Sequence, residues 1–208
     1  AHLLDRALDA AYQIPDVQMR INALTGIVPR VPVEQREPAQ RKMLESAQHM
    51  PFGYKRARAI VSVAPHLTPE LILEALKLAD ELDDAFDRVS AYVALAQNMP
   101  PKQRPQIIDR AWQILRDIED GYDRSSALAA VAPFMPDDMR DVVARAASSV
   151  VRSITDEYDQ ASAITILAPV LAQGEALTTE IRLDRTGVLR TLLKAALATP
   201  QHAQRVTL

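Results

Sequence analysis

A motif recurs along this chain at a nearly constant spacing. Its clearest copy runs from Ile118 to Pro133, and the next begins 36 residues later at Ile154. Six copies share a basic or amide residue, and these residues are separated by 36, 32, 36, 36 and 25 positions. Such a period predicts units that each pack on their neighbours. The six residues are Arg20, Arg56, Arg88, Arg124, Gln160 and Arg185.

Each copy predicts a first helix. Asp84, Asp120 and Asp156 stand where a carboxylate can accept the unpaired amides of the first helical turn. A proline follows at the end of four copies, and the residue before a proline avoids helical backbone. We therefore expect this helix to stop at Pro29, Pro65, Pro133 and Pro169.

A second helix follows in each unit, because apolar residues recur with the helical period. Pro69 and Pro105 stand at positions suited to a first turn. No segment alternates as a strand does. The stripes are Leu71, Ile72, Ala75, Leu76, Ala79 and Leu82; Ile107, Ile108, Ala111, Trp112, Leu115 and Ile118; and Met139, Val142, Val143, Ala146, Val150 and Ile154.

These features predict an all-α fold, an α-solenoid in which about six helical hairpins of ~36 residues stack into a right-handed superhelix. The chain opens within a second helix, because Leu3, Leu4 and Ala7 align with Leu71, Ile72 and Ala75. We therefore expect a single solenoid domain that is part of a longer protein. The predicted units are a half unit at 1–13, then 14–49, 50–81, 82–117, 118–153, 154–182 and 183–208.

Composition excludes several classes of protein. The absence of cysteine rules out disulfides, thiolate metal sites and cysteine nucleophiles. Only 5 of the 208 residues are glycine, which disfavours glycine-rich phosphate loops. A net charge of −3 gives no overall positive charge for binding nucleic acid or an anionic membrane.

The start of the sequence lacks a signal-peptide pattern, and the longest uncharged run of the chain is too short to cross a bilayer. We therefore expect a cytoplasmic location without a membrane partner.

The motif resembles the helical-hairpin repeats of bacterial α-solenoids of the HEAT and TPR-like superfamily. It is most similar to arrays of the form Tyr-x-Arg-x-x-Ala-Leu-x-x-Leu-Ala-Pro-x-Leu-Pro in large bacterial signalling proteins, which often also carry signal-transducing NTPase or caspase-like modules. The resemblance covers residues 1–171 well and implies a binding or sensing scaffold without catalytic residues. The motif departs from the standard TPR, whose period is 34 residues. The matching residues are Tyr122, Arg124, Ala127, Leu128, Val131, Ala132, Pro133 and Pro136, with their equivalents.

Residues suited to catalysis are scattered. His2, His49, His66 and His202 form no ligand pair at helical spacing. Ser125, Ser126 and Ser162 stand beside alanines and are interpreted as small packing residues. We therefore expect no catalytic residue, no metal site and no cofactor.

Three repeated features each allow two interpretations. The acidic junctions around Asp83, Asp120 and Asp156 suit helix capping, or a surface for a basic peptide or divalent cation. The repeated arginines suit hydrogen bonds to carboxylates or helix-end carbonyls, or a row that binds phosphate or carboxylate. The aromatic residues two positions before them suit packing between repeats, the favoured interpretation, or a stacking platform. They are Tyr54, Phe86, Tyr122 and Tyr158.

Residues that do not repeat point better to a partner, because scaffold positions must repeat and recognition positions need not. One group of candidate residues lies on the polar side of the second helices. A second group lies in a turn that is aromatic and basic, whereas the equivalent turns of the other repeats are acidic. Both also fit solvated or locally packed surface. The candidate binding residues are Lys77, Arg110, Gln113, Arg116, Arg145 and Arg152 in the first group and Phe52, Tyr54 and Arg58 in the second.

The sequence therefore favours a non-catalytic scaffold or sensor that binds a protein or peptide, as the recognition or regulatory part of a bacterial signalling protein. The alternative is an enzyme or nucleic-acid-binding module built on HEAT-like repeats. That alternative needs a basic concave face or convergent acidic residues, and the net charge of −3 disfavours DNA.

Overall fold

A computed structural model describes residues 2–51 and 53–172. All regular structure in these residues is helical, which confirms the all-α prediction. Short 3₁₀ turns follow several of the helices. The helices are α1 (His2–Tyr12), α2 (Val17–Ile27), α3 (Val33–Gln48), α4 (Gly53–Val63), α5 (Pro69–Asp80), α6 (Ala85–Gln97), α7 (Arg104–Ile114), α8 (Gly121–Val131), α9 (Arg140–Ser153) and α10 (Glu157–Leu171).

The chain divides into two compact units, Ala1–Ile114 and Leu115–Leu208. We call α2, α4, α6, α8 and α10 the first helices and the others the second helices. In the N-terminal unit each helix packs on the next, and α2, α3 and α4 also pack on α4, α5 and α6 respectively. In the described part of the C-terminal unit, α8, α9 and α10 all pack on one another. The sixth predicted repeat, 183–208, lies outside the described residues.

Aspartates begin the first helices, as predicted. Asp84, Asp120 and Asp156 have extended backbone, and each accepts a hydrogen bond from the amide three residues later, at 2.8–2.9 Å. Asp16 caps α2 in the same way at 2.7 Å. Because these carboxylates satisfy amides that lack a partner within the helix, the acidic junctions have a structural function.

The prolines end three first helices as predicted, but not the fourth. At Pro29, Pro65 and Pro133 the α-helix gives way to a 3₁₀ turn. Pro169 instead lies inside α10, where the Ala172 amide still bonds to the Ala168 carbonyl at 3.0 Å. In the other three copies a second proline follows the first, at position 32, 69 or 136. This second proline forces the residues before it into extended backbone, so the helix cannot continue. No such proline follows Pro169.

The repeated basic or amide residue bonds to its own repeat. Its side chain donates to the backbone carbonyl six residues earlier in all five described copies. Arg20, Arg88 and Gln160 do so at 2.8, 2.7 and 3.1 Å. Arg124 directs both Nε and Nη2 at the Ile118 carbonyl, and Arg56 reaches Met50 at 3.4 Å. These bonds support the structural interpretation, in which the arginine fixes the turn that enters the first helix. Arg185 lies outside the described residues.

The second-helix stripes are confirmed in α5 and corrected in α9. All six predicted residues of the α5 stripe are buried. In α9, Val143 and Val150 are buried as predicted, but Val142 is exposed. The other buried residues are Ala144, Ala147 and Ser148, which lie outside the predicted stripe. Their small side chains allow close packing on this side of the helix. In α1, Leu8 and Ala11 are buried, but Leu3 is exposed.

Small residues bring the first helices together. The third residue after the repeated arginine or glutamine is alanine, and Ala59, Ala91, Ala127 and Ala163 are at most 2% exposed. In the same helices α4 packs on α6, and α8 packs on α10. A side chain of one methyl group leaves room for two backbones to approach, which explains why alanine recurs at this position.

A pair of glycines at the same repeat position gives a test of this packing. A Cβ added at Gly121 would lie 2.5 Å from Ile154 Cγ1, whereas one added at Gly53 meets no atom within 4 Å. Gly121→Ala should therefore lower the free energy of unfolding by about 1–2 kcal/mol. Gly53→Ala should raise it by about 0.5 kcal/mol, because alanine restricts the unfolded chain and favours helix. Equal effects of the two substitutions in denaturant titrations would contradict this packing at Gly121.

Candidate functional site

Three tyrosines are exposed at one repeat position, which corrects the prediction that they pack between repeats. Tyr54, Tyr122 and Tyr158 are 53%, 45% and 60% exposed, while Phe86 is half-buried. Each stands two residues before the repeated arginine or glutamine. Successive residues of a helix are offset by about 100°, so positions −2, +2 and +6 from that residue lie opposite positions +4 and +7. Position +4 is buried in all five described copies, and position +7 is buried in all but the first. We call the −2, +2 and +6 positions the first-helix face.

A groove runs between α2 and α4 on this face, in the N-terminal unit. Its volume is about 840 Å³. The predicted binding residues Tyr54 and Arg58 meet in it, whereas Phe52 lies outside the described residues. The lining residues are Pro15, Asp16, Val17, Gln18, Asn22, Met50, Pro51, Tyr54, Lys55, Arg58 and Ser62.

The two walls of this groove differ in chemistry. On α2, the Gln18 side-chain amide donates to Asn22 Oδ1 at 3.0 Å, so two amides stand one turn apart. On α4, Tyr54 and Arg58 are likewise one turn apart, and both are exposed. The groove therefore offers neutral donors and acceptors beside the Asp16 carboxylate on one side, and an aromatic ring with a cation on the other.

A related groove of about 490 Å³ lies between α8 and α10 in the C-terminal unit. Tyr122 and Tyr158 line it at the same repeat positions as Gln18 and Tyr54. Ser162 takes the position of Arg58, and the lining residues that the structure describes include no cation. The two grooves are thus formed by the same repeat positions of two first helices, but with different side chains. The lining residues are Tyr122, Tyr158, Asp159, Ser162, Thr165 and Ile166.

Sequence reasoning missed Gln18, Asn22, Thr165 and Ile166. None of these residues stands out in composition, since two are amides and the others resemble ordinary helix residues. Their position relative to the repeated arginine or glutamine could have identified Gln18, Asn22 and Ile166, which occupy positions −2, +2 and +6. A search for the aromatic residue alone could not have identified Gln18, because in this copy of the repeat glutamine replaces the aromatic residue.

The candidate residues on the second helices do not line either groove. Lys77, Gln113, Arg116 and Arg145 are exposed on or beside α5, α7 and α9. Arg152 donates to Ser148 Oγ at 2.9 Å within α9. Of the predicted binding residues that the structure describes, only Tyr54 and Arg58 therefore meet in one groove.

Arg110 joins three helices of the N-terminal unit. Its guanidinium forms an ion pair with Asp80 of α5 and donates to the Tyr92 hydroxyl of α6 at 2.9 Å. It also lies over the Tyr92 ring, with Cζ 4.8 Å from the ring centre. The Tyr92 hydroxyl in turn donates to Asp80 Oδ1. The side chain of Arg110, a predicted binding residue, is thus engaged in contacts within the chain.

The Tyr92 phenol is held protonated by these surroundings. Burial, followed by the hydrogen bond to Asp80, raises the pKa of Tyr92 from 10.0 to about 12. Because the folded-state pKa lies above the usual value, its contribution to stability is complete below about pH 10 and is lost as the pH rises through 12.

Replacing this phenol has two expected consequences. Tyr92→Phe should remove the absorbance step of a phenol ionising near pH 12 and lower the free energy of unfolding at neutral pH by about 1 kcal/mol. Tyr122→Phe, which removes an exposed hydroxyl, should change stability by less than about 0.5 kcal/mol. A Tyr92→Phe variant that keeps the step near pH 12 would show that another tyrosine carries it.

Two other features are absent from the same described residues. Across 2–51 and 53–172, no three histidine, aspartate or glutamate side chains are grouped so that they could hold a metal ion. Nor does any described helix have the length and apolar character needed to span a membrane. Comparison with known proteins found no matching family, curated protein or solved structure.

Proposed function

We propose that this chain is a non-catalytic scaffold or sensor domain that binds a protein partner on the first-helix face. The observation that carries the proposal is the exposure of Tyr54, Tyr122 and Tyr158 at one repeat position beside grooves of about 840 and 490 Å³. Exposed tyrosines supply large contact area with little loss of side-chain entropy, and they are enriched at protein interfaces. We place this role in the recognition part of a cytoplasmic signalling protein.

The proposed framework is an α-solenoid, a right-handed stack of hairpins. It is supported within the N-terminal unit by the packing of each helix on the next, and of α2, α3 and α4 on α4, α5 and α6 respectively. It is also supported by the same capping aspartate and the same side-chain bond to a carbonyl in successive repeats. Stacked repeats of this kind create extended surfaces from equivalent positions.

The repeated polar residues and the proposed surface have separate functions. The aspartates and arginines described above bond to backbone groups of their own repeat. The first-helix face varies from repeat to repeat, with Gln18, Tyr54, Phe86, Tyr122 and Tyr158 at position −2. This division is expected of a scaffold whose framework stays constant while its ligand contacts change.

Selection of random linear peptides displayed on phage tests the proposal. We expect peptides that bind the full chain and lose at least about tenfold in affinity when Tyr54, Tyr122 and Tyr158 are replaced together by alanine. Because these side chains are exposed, circular dichroism of this variant should match the wild type.

Leu73→Ala is the matched control. Leu73 is 51% exposed, but it lies on α5, a second helix, and should leave affinity unchanged. Failure to select any peptide, or equal loss of affinity in the Leu73→Ala variant, would overturn the assignment of this face.

A further inference from the structure

The groove between α2 and α4 carries a net positive charge. Arg58 is exposed on α4, and it forms no hydrogen bond or ion pair with the residues that the structure describes. Lys55 borders the same groove. The carboxylate of Asp16 accepts the Met19 amide at 2.7 Å, so one of its oxygens is engaged in capping α2. An exposed guanidinium beside an aromatic ring suits a carboxylate ligand.

The opposite wall suits a peptide backbone. Gln18 and Asn22 use one donor and one acceptor in their mutual hydrogen bond. Gln18 Oε1 and the Asn22 side-chain amide retain hydrogen-bonding capacity, which provides both an acceptor and a donor. An extended peptide presents N–H and C=O groups alternately and needs both kinds of partner.

The C-terminal unit provides an internal comparison. The groove between α8 and α10 has Ser162 at the position of Arg58 and adds the carboxylate of Asp159. It shares the tyrosine position but not the positive charge. A preference for acidic ligands should therefore depend on Arg58 and be restricted to the groove between α2 and α4.

We infer that the groove between α2 and α4 binds an acidic peptide segment in extended conformation. Gln18 and Asn22 bond to its backbone, Arg58 pairs with a carboxylate, and the Tyr54 ring packs against the segment beside it. This assignment rests on the proposed function and adds the class of ligand. A nucleic-acid strand fits less well, because it brings a phosphate with every nucleotide, whereas the described lining of this groove holds two cations and one carboxylate.

Fluorescence anisotropy with three labelled probes tests the inference. The probes are a decapeptide with glutamate at alternate positions, the same decapeptide with lysine at those positions, and single-stranded oligothymidylate. We expect the full chain to bind the acidic peptide at least about tenfold more tightly than the lysine peptide. Arg58→Glu should reduce that affinity by at least about tenfold, and raised salt should weaken it.

Arg6→Glu, an identical charge change at an exposed position of α1, should leave binding unchanged. Equal binding of the acidic and lysine peptides, or tighter binding of oligothymidylate that depends on Arg58, would overturn the inference. If the acidic peptide fails while selected library peptides still depend on the tyrosines, the ligand class is wrong and the binding face stands. If both fail, the proposed function itself is wrong.

Discussion

Replacing Ala127 with leucine is expected to lower the free energy of unfolding by about 2–3 kcal/mol. Ala127 is 2% exposed in α8, a helix that packs on α10, where Ala163 occupies the same repeat position. Three further carbons in a close-packed contact force neighbouring side chains off their rotamers or separate the helices.

Ala130→Leu is the control for this substitution. Ala130 lies in the same helix but is exposed, so the same change should shift stability by less than about 0.5 kcal/mol. Urea titrations followed by circular dichroism compare the two variants. Similar midpoints would mean that the recurring alanine does not mark close approach of the first helices.

Replacing Arg124 with methionine should lower the free energy of unfolding by about 2 kcal/mol. Two nitrogens of its guanidinium donate to the carbonyl of Ile118, a residue that is 4% exposed. Methionine keeps much of the apolar stem but leaves the carbonyl without these charged donors. Hydrogen bonds to charged groups contribute more than neutral ones, so the loss exceeds that of an ordinary surface substitution.

Arg145→Met provides the comparison for Arg124→Met, because Arg145 is exposed on α9 and the chemical change is the same. It should leave the midpoint of denaturation nearly unchanged. A destabilisation equal to that of Arg124→Met would show that charge loss in the C-terminal unit, rather than the bond to Ile118, determines the effect.

The sequence predicted those parts of the fold that depend on local chemistry. Asp84, Asp120 and Asp156 cap helices through amides three residues away, and Pro65 acts on its immediate neighbours. Pro169 was predicted wrongly because the end of a helix also depends on whether a second proline follows.

Packing choices were harder to predict. In α9 the hydrophobic pattern placed Val142 inside, whereas the small residues Ala144, Ala147 and Ser148 are buried. The hydrophobic pattern of a helix does not show which of its sides carries residues small enough for a neighbouring helix to approach closely. The tyrosines were misassigned for a related reason, since their hydrophobic character was weighed without their position relative to the buried residues of the same helix.

The groove between α2 and α4 was only half predicted. Tyr54 and Arg58 were identified because they form an unusual local segment. Gln18 and Asn22 face them from a helix more than 30 residues earlier in the sequence, and only the packing of α2 on α4 brings the two pairs together.

Fluorine NMR of the full chain labelled with fluorotyrosine tests the central claim most directly. The five tyrosines include the exposed Tyr54 and the buried Tyr92, which is 4% exposed in the same unit. Addition of the glutamate decapeptide should shift the Tyr54 resonance, identified by its loss in Tyr54→Phe, and leave the Tyr92 resonance in place. A shift of Tyr92 with an unchanged Tyr54 would contradict binding on the first-helix face.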